Sequence, residues 1–283
     1  MPELPEVDTI RLTLASKIIG LKIKNVNILS PKSFIGDPKE LQGNKVLNII
    51  RRGKVLGINL SSSLRGAKRR GNPLTLLFHF KMSGQLIRVD SLSSPLNSHT
   101  RVIFTLSDNS KLYFNDQRRF GWVKLVRTSE LEEINYGLSL KMGPEPLEKN
   151  FNWKTLRQNL LKHPKTPVKV ALMDPVVVVG VGNIYASEAC FNARLDPRTL
   201  VSKLSDNNFK SIYKGVVKAL KSGLKHGGAT KTHFVDADGN KGYFLDYANV
   251  YDRYKEHCRR CGGVIQKIRL GGRGTFFCSN CQK

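Results

Sequence analysis

Apolar residues recur at Val7, Ile10, Leu14 and Ile18, three to four positions apart, so the chain opens on an amphipathic helix starting just after Pro5. Beyond Gly20 the period changes. Residues 22–29, 45–52, 55–60, 74–80, 99–106 and 111–116 are short runs rich in β-branched and aromatic side chains, the pattern of strands. The first half is therefore expected to be an antiparallel β-sandwich, or a barrel-like pair of sheets, behind one N-terminal helix. Residues 61–73 interrupt two strands with Gly, Pro and Arg and read as an exposed basic loop.

The two prolines of residues 142–150 mark a linker, and the pattern beyond it is helical. Helices are expected over 153–162, 184–193 and 207–226; the last carries a core stripe of Phe209, Ile212, Val216, Val217, Leu220 and Leu224. From about Gly227 the chain turns into a loop rich in Gly, Asp and Lys. The expected organisation is α+β and multidomain: a sandwich domain over 1–141, a linker over 142–150, a helical domain over 151–245 and a terminal cysteine hairpin over 246–283.

Charge narrows the function. Lys and Arg number 47 against 22 Asp and Glu, a formal net charge of +25. So large an excess points to a polyanion, because neutralising phosphates releases counterions and draws the protein onto nucleic acid. No apolar stretch reaches the ~20 residues of a membrane span, and there is neither a basic amphipathic helix with an aromatic face nor a lipidation motif. The acidic N-terminus lacks a signal pattern, so a cytoplasmic protein without membrane partners is expected.

Four of the five cysteines form Cys258-x2-Cys261 and Cys278-x2-Cys281, separated by sixteen residues. Two such knuckles complete a tetrahedral thiolate site for one Zn2+, and four protein ligands make that ion structural. The segments between them can pair as a hairpin with Gly271-Gly272-Arg273-Gly274 at its tip, where Arg273 suits a phosphate or a narrow groove. Cys190, outside the cluster, reads as a small buried apolar residue.

Pro2 follows a methionine of the kind normally removed. Its free secondary amine could then attack an aldehyde-like anomeric carbon and give an iminium, with Glu3 and Glu6 close by for proton transfer. Alone, proline and glutamate at a helix start are ordinary capping chemistry.

In combination the motifs are specific. MPELPEV, RRGK around Lys54, HFKMSG around Met82, DQRRFG around Arg118, MGPEP, VGVGNIYASE and the four-cysteine site occur in this order. Over nearly its whole length the chain resembles the formamidopyrimidine-DNA glycosylases, bacterial enzymes that remove 8-oxoguanine and ring-opened purines. The resemblance implies a β-sandwich, a helix–two-turn–helix domain and a zinc ribbon, acting as a monomer on damaged double-stranded DNA in the bacterial nucleoid. It implies Pro2 as nucleophile, Glu3 as the acid at the sugar ring oxygen and Lys54 as a pocket lysine. Met82 would fill the space of an extruded base, Arg118 would pair with the orphaned cytosine, and Phe120 would wedge between bases. Arg119 would be a phosphate or structural contact, and Lys165 would add positive charge near the groove served by Asn183 and Arg273. In VGVGNIYASE the glycines would let the backbone approach, and the helix beginning at Asn183 would aim its amides at a phosphate.

This sequence departs from the family pattern at Gln117, at Asp252 in place of a glycine, in the longer basic loop and in the cap loop between Gly228 and Phe244. Two other readings fit fewer motifs: the sister endonuclease VIII, which acts on oxidised pyrimidines and begins PEGPE, and a non-catalytic zinc-ribbon DNA-binding protein.

Overall fold

The computed structural model describes residues 1–61, 72–90, 96–138 and 141–283, so most of the basic loop lies outside the described residues. The chain forms two compact units. One comprises Met1–Pro2, Glu6–Ser139 and Ala229–Gly242; the other comprises Glu3–Pro5, Leu140–Gly228 and Tyr243–Lys283. Neither is continuous in sequence.

The first unit is built on two sheets. Helix α1 (Leu4–Ile18) buries Val7, Ile10, Leu14 and Ile18 completely, as their spacing requires. One sheet has the order β1 (Ile23–Ile28), β7 (Thr100–Leu106), β8 (Lys111–Asp116), β6 (Gly84–Val89) and is antiparallel throughout. The other runs β2 (Phe34–Ile35), β9 (Trp122–Arg127), β5 (Leu74–His79), β4 (Val55–Leu60), β3 (Val46–Arg52). It is antiparallel except for the two-residue β2, which lies parallel to β9. β2, β6 and β9 are additions to the strands read from sequence.

Side chains of both sheets and of α1 share a single core, which makes the pair a sandwich. Phe78 of β5 sits at its centre, with ring centroids 5.9 Å from Phe104 and 6.1 Å from Phe114 of the opposite sheet. Truncating such a ring to alanine costs about 3–5 kcal/mol. Phe234 and Ala237 join the same core, which is why residues 229–242 cluster with this unit.

The second unit contains α2 (Trp153–Leu160), α3 (Val168–Leu172), α4 (Asn183–Asn192), α5 (Asp206–Lys225) and α6 (Phe244–Tyr247). Asn152 caps α2 by accepting from the amides of Lys154 and Thr155, and Ser205 with Asn208 forms a reciprocal capping box on α5. α4 is buried from Tyr185 to Phe191 and packs chiefly against α5, which α2 and α6 also meet. The unit ends in the hairpin β10 (Gln266–Leu270) and β11 (Arg273–Phe277). Its turn is Gly271-Gly272 alone. Arg273, expected in the tip, is instead the first residue of β11, paired with Leu270. Among the described residues no helix is long and apolar enough to cross a membrane.

Candidate functional site

In the sandwich unit, Lys54 stands in the turn between β3 and β4, where Arg52 pairs with Val55 and Gly53 takes φ +55°. Val55 pairs in turn with His79 on β5. Burial first, and then the positive charges of Lys81 and Lys54, lower the His79 pKa to about 3, so the ring is neutral at physiological pH. Its Nδ1 accepts from the Lys81 amide at 3.0 Å, which leaves the ring proton on Nε2.

Met82 lies on the corner between β5 and β6. Arg118, Arg119 and Phe120 lie on the corner between β8 and β9. Met82 and Phe120 are 39% and 58% exposed, so both side chains are open to solvent at these corners. The Arg118 guanidinium carbon is 5.2 Å from the Phe120 ring centroid. Pro2 is buried beneath an exposed Met1.

Glu6 is occupied by structure, accepting from the Ala229 amide at 2.7 Å. The segment that follows is fastened to its own unit by Gln85, which donates to the His233 carbonyl, by the Arg88 amide on the Ala237 carbonyl, and by an ion pair between Lys17 and Asp238.

In the helical unit the organising group is the Glu3 carboxylate, which accepts from the amides of Gly182, Ile184 and Tyr185 at 2.7, 2.9 and 3.3 Å. This corrects the expectation that the N-terminal amides of α4 are directed at a phosphate: three of them hold Glu3. The helix end remains an anion site, but its anion is internal. The two glycines of VGVG are required by that docking. A Cβ on Gly180 (φ +82°) would come within 2.6 Å of Leu4, and one on Gly182 within 2.4 Å of the Glu3 carboxyl carbon.

Asn183 accepts from the Lys169 ammonium and donates to the Gly274 carbonyl at 3.0 Å. Tyr251, also hydrogen-bonded to Asn183, has its pKa raised chiefly by burial. Lys169 is fully buried, and burial lowers its pKa to about 8 against the favourable pull of Cys190 and Glu3. Lys165, the lysine singled out from the sequence, is exposed between α2 and α3. The buried lysine of KTPVK was missed, as was Glu188. Glu188 accepts from the amides of Asn249, Val250 and Tyr251 at 2.8–3.0 Å and ties that segment to α4. Cys190 is buried, and its pKa is pushed up to about 12 by that burial, as suits a packing residue.

The four remaining cysteines converge. Their sulfurs all lie within 4.8 Å of one another, with Cys258 to Cys281 at 3.9 Å and Cys261 to Cys278 at 3.5 Å. A tetrahedral ion with bonds of about 2.3 Å requires sulfur separations of roughly 3.8 Å, so the cage fits one zinc ion. The backbone of Gly263 helps lower Cys261 to about 7, whereas burial and the neighbouring sulfurs push Cys281 up to about 12. Four crowded thiols do not ionise together without a cation, which the dication supplies.

Three family models match the chain: the formamidopyrimidine-DNA glycosylase N-terminal domain over residues 1–123, the H2TH domain of that enzyme over 142–235, and a zinc finger found in FPG and IleRS over 255–283. Formamidopyrimidine-DNA glycosylases from Pelotomaculum thermopropionicum and Hahella chejuensis are 37% and 38% identical to it, covering all of this chain and 99% and 100% of theirs. A Lactococcus lactis FPG mutant solved with Fapy-dG-containing DNA matches over both whole chains with a TM-score of 0.87 at 31% identity. The wild-type enzyme from that organism, solved with DNA containing an oxidised pyrimidine, matches equally well at 32% identity and a TM-score of 0.87 over both whole chains.

Proposed function

The chain belongs to the formamidopyrimidine-DNA glycosylase family, and from that premise we propose that it excises oxidised purines from duplex DNA through the amine of Pro2 and then cuts the strand. The observation that carries the reading is the docking of Glu3. A residue covalently joined to Pro2 has its carboxylate fixed by three amides of one helix end, so the N-terminal backbone is held rather than free. Such fixation supplies the pre-orientation that amine attack needs.

With Met1 removed, the Pro2 nitrogen attacks C1′ of the damaged nucleotide. The bond to the base breaks, the base leaves with a proton, and the sugar ring opens as its oxygen is protonated, Glu3 acting as the proton-transfer residue. The resulting iminium acidifies the C2′ proton. Elimination expels first the 3′ and then the 5′ phosphate, and hydrolysis returns Pro2. Lys54, beside the neutral His79, adds charge for phosphate. Met82, Arg118 and Phe120 occupy the gap left by the extruded base, offsetting an unstacking cost of a few kcal/mol. Arg119, Lys165 and Arg273 contact phosphates, and Asn183 positions Lys169 and the hairpin for the same backbone. The ribbon holds one structural zinc and does no chemistry at it. The enzyme works as a monomer on damaged DNA in the bacterial nucleoid.

Borohydride trapping tests this, on a duplex with 8-oxoguanine opposite cytosine and on a parallel duplex with an oxidised pyrimidine. A cross-link mapped to Pro2 and formed faster on 8-oxoguanine is expected. Faster trapping on the pyrimidine would move the preferred substrate to the other class, and no cross-link with a free Pro2 would remove the covalent mechanism.

A further inference from the structure

The two corners that carry Met82 and Arg118–Phe120 are neighbours by topology. β5 passes into β6 by leaving the five-stranded sheet for the four-stranded one, and β8 passes into β9 in the opposite sense. On one side of the corners Gly84 pairs with Asp116; on the other His79 pairs with Trp122. The two connections therefore run antiparallel, side by side, at one end of the sandwich.

Loops at such a place are ordinarily mobile. These two are joined by a buried knot. The Ser83 hydroxyl donates to Asp116 Oδ1 at 2.6 Å and accepts from the Arg118 amide at 2.9 Å. Asp116 Oδ2 accepts from the Gly121 amide at 2.6 Å, so one carboxylate spans the corner from Arg118 to Gly121. Ser83 and Asp116 are both buried, whereas the side chains they flank, Met82 and Phe120, are exposed. Each corner also holds a non-glycine residue in the left-handed region, Lys81 at φ +48° and Arg119 at φ +58°, a conformation that persists only where its surroundings enforce it.

We propose that Ser83 and Asp116 are positioning residues that latch the two corners into one rigid wedge, so that Met82 and Arg118–Phe120 enter the base stack as a unit. The inference rests on the wedge role proposed above for those three side chains. Insertion into a stacked duplex meets resistance, and a tip that yields cannot hold a nucleotide out. Where the base is already unstacked, the latch has nothing to do.

The test compares Ser83→Ala, Ser83→Thr, Met82→Ala and Phe120→Ala in single-turnover base excision. One substrate is a fully paired duplex with 8-oxoguanine opposite cytosine; the other carries the same lesion in a mismatch bubble. Ser83→Ala should slow excision on the paired duplex by about tenfold, equivalent to the loss of one positioning hydrogen bond, and change the bubble rate by less than about twofold. Ser83→Thr, which keeps the hydroxyl, should restore the paired rate. In a Met82→Ala, Phe120→Ala background Ser83→Ala should add nothing further, because coupled residues are not additive. Equal slowing on both substrates would make Ser83 merely structural and overturn the latch. Full speed for Ser83→Ala beside a slow Met82→Ala would overturn the latch and leave the wedge. Full speed for Met82→Ala and Phe120→Ala would remove the wedge itself, and the latch with it.

Discussion

In the sandwich unit the candidate DNA-contacting side chains Met82 and Phe120 are exposed, and the polar groups that brace them are buried. In the helical unit the order is reversed: Glu3 and Lys169 are 3% and 0% exposed, and the candidate functional groups are themselves the buried network. Exposed tips on a braced frame can be altered with little effect on folding. A buried carboxylate carrying three amide bonds cannot, because its removal leaves donors unpaired. The exposed tips of the one unit are thus separable from its stability, whereas the buried network of the other is entangled with it.

The sharpest break should come at the ribbon. Cys258→Ser removes a zinc ligand, and structural zinc sites contribute about 10–16 kcal/mol to the domains they fold. The variant should lose zinc in a colorimetric assay and much of its DNA affinity. A zinc-free protein with unchanged affinity would take the hairpin out of the DNA grip. Next in size is Glu3→Gln, for which excision should fall by roughly 10²–10⁴-fold together with a lower melting temperature. Undiminished excision would leave Glu3 as a cap for α4 and nothing more.

A smaller effect belongs to His79. Its folded pKa, about 3, lies below the unfolded value near 6.5, so between these pH values the unfolded chain binds the extra proton. Stability is therefore complete above about pH 6.5 and falls as the pH drops toward 3, by up to about 1.4 kcal/mol per pH unit. Urea titrations at pH 7, 5 and 4 would measure this slope. His79→Asn, whose Oδ1 can still accept from the Lys81 amide, should flatten it, and an unaltered slope would assign the acid sensitivity elsewhere. Smallest is Phe120→Ala, expected to change stability by less than about 0.5 kcal/mol while slowing excision from paired DNA. A large stability loss would mean that the tip is part of the core and would erase the contrast between the units.

What sequence made legible follows from the range of the interactions. α1 was readable because its four core residues recur within one helix, and the cysteine site because ligand spacing is local. α3 is five residues with two β-branched valines and gives no helical period. β9, Trp122–Arg127, sets Leu125 beside Val126 and Trp122 beside Val123, which breaks the two-residue alternation. Lys165 and Lys169 are equivalent in a chain with 47 basic residues; only burial and the bond to Asn183 separate them. The partners of Glu3 lie 179 to 182 positions away, so no local pattern announces that the end of α4 is already filled. Gly180 and Gly182 were correctly read as permitting close approach, but what approaches is Glu3 and Leu4 of the same chain.

That distance also sets an order of events at the ribosome. Synthesis at about 5–20 residues per second separates the emergence of Glu3 from that of its amide partners by roughly 10–40 s. Throughout that interval Glu3 lacks the three amides that hold it in the folded protein, time in which an aminopeptidase can act on Met1. On the mechanism proposed above, a slow peptidase would leave molecules that fold around a retained methionine, correctly shaped and without a nucleophile. On that mechanism maturation is a race between trimming and docking, and the long sequence separation of Glu3 from α4 gives trimming the head start.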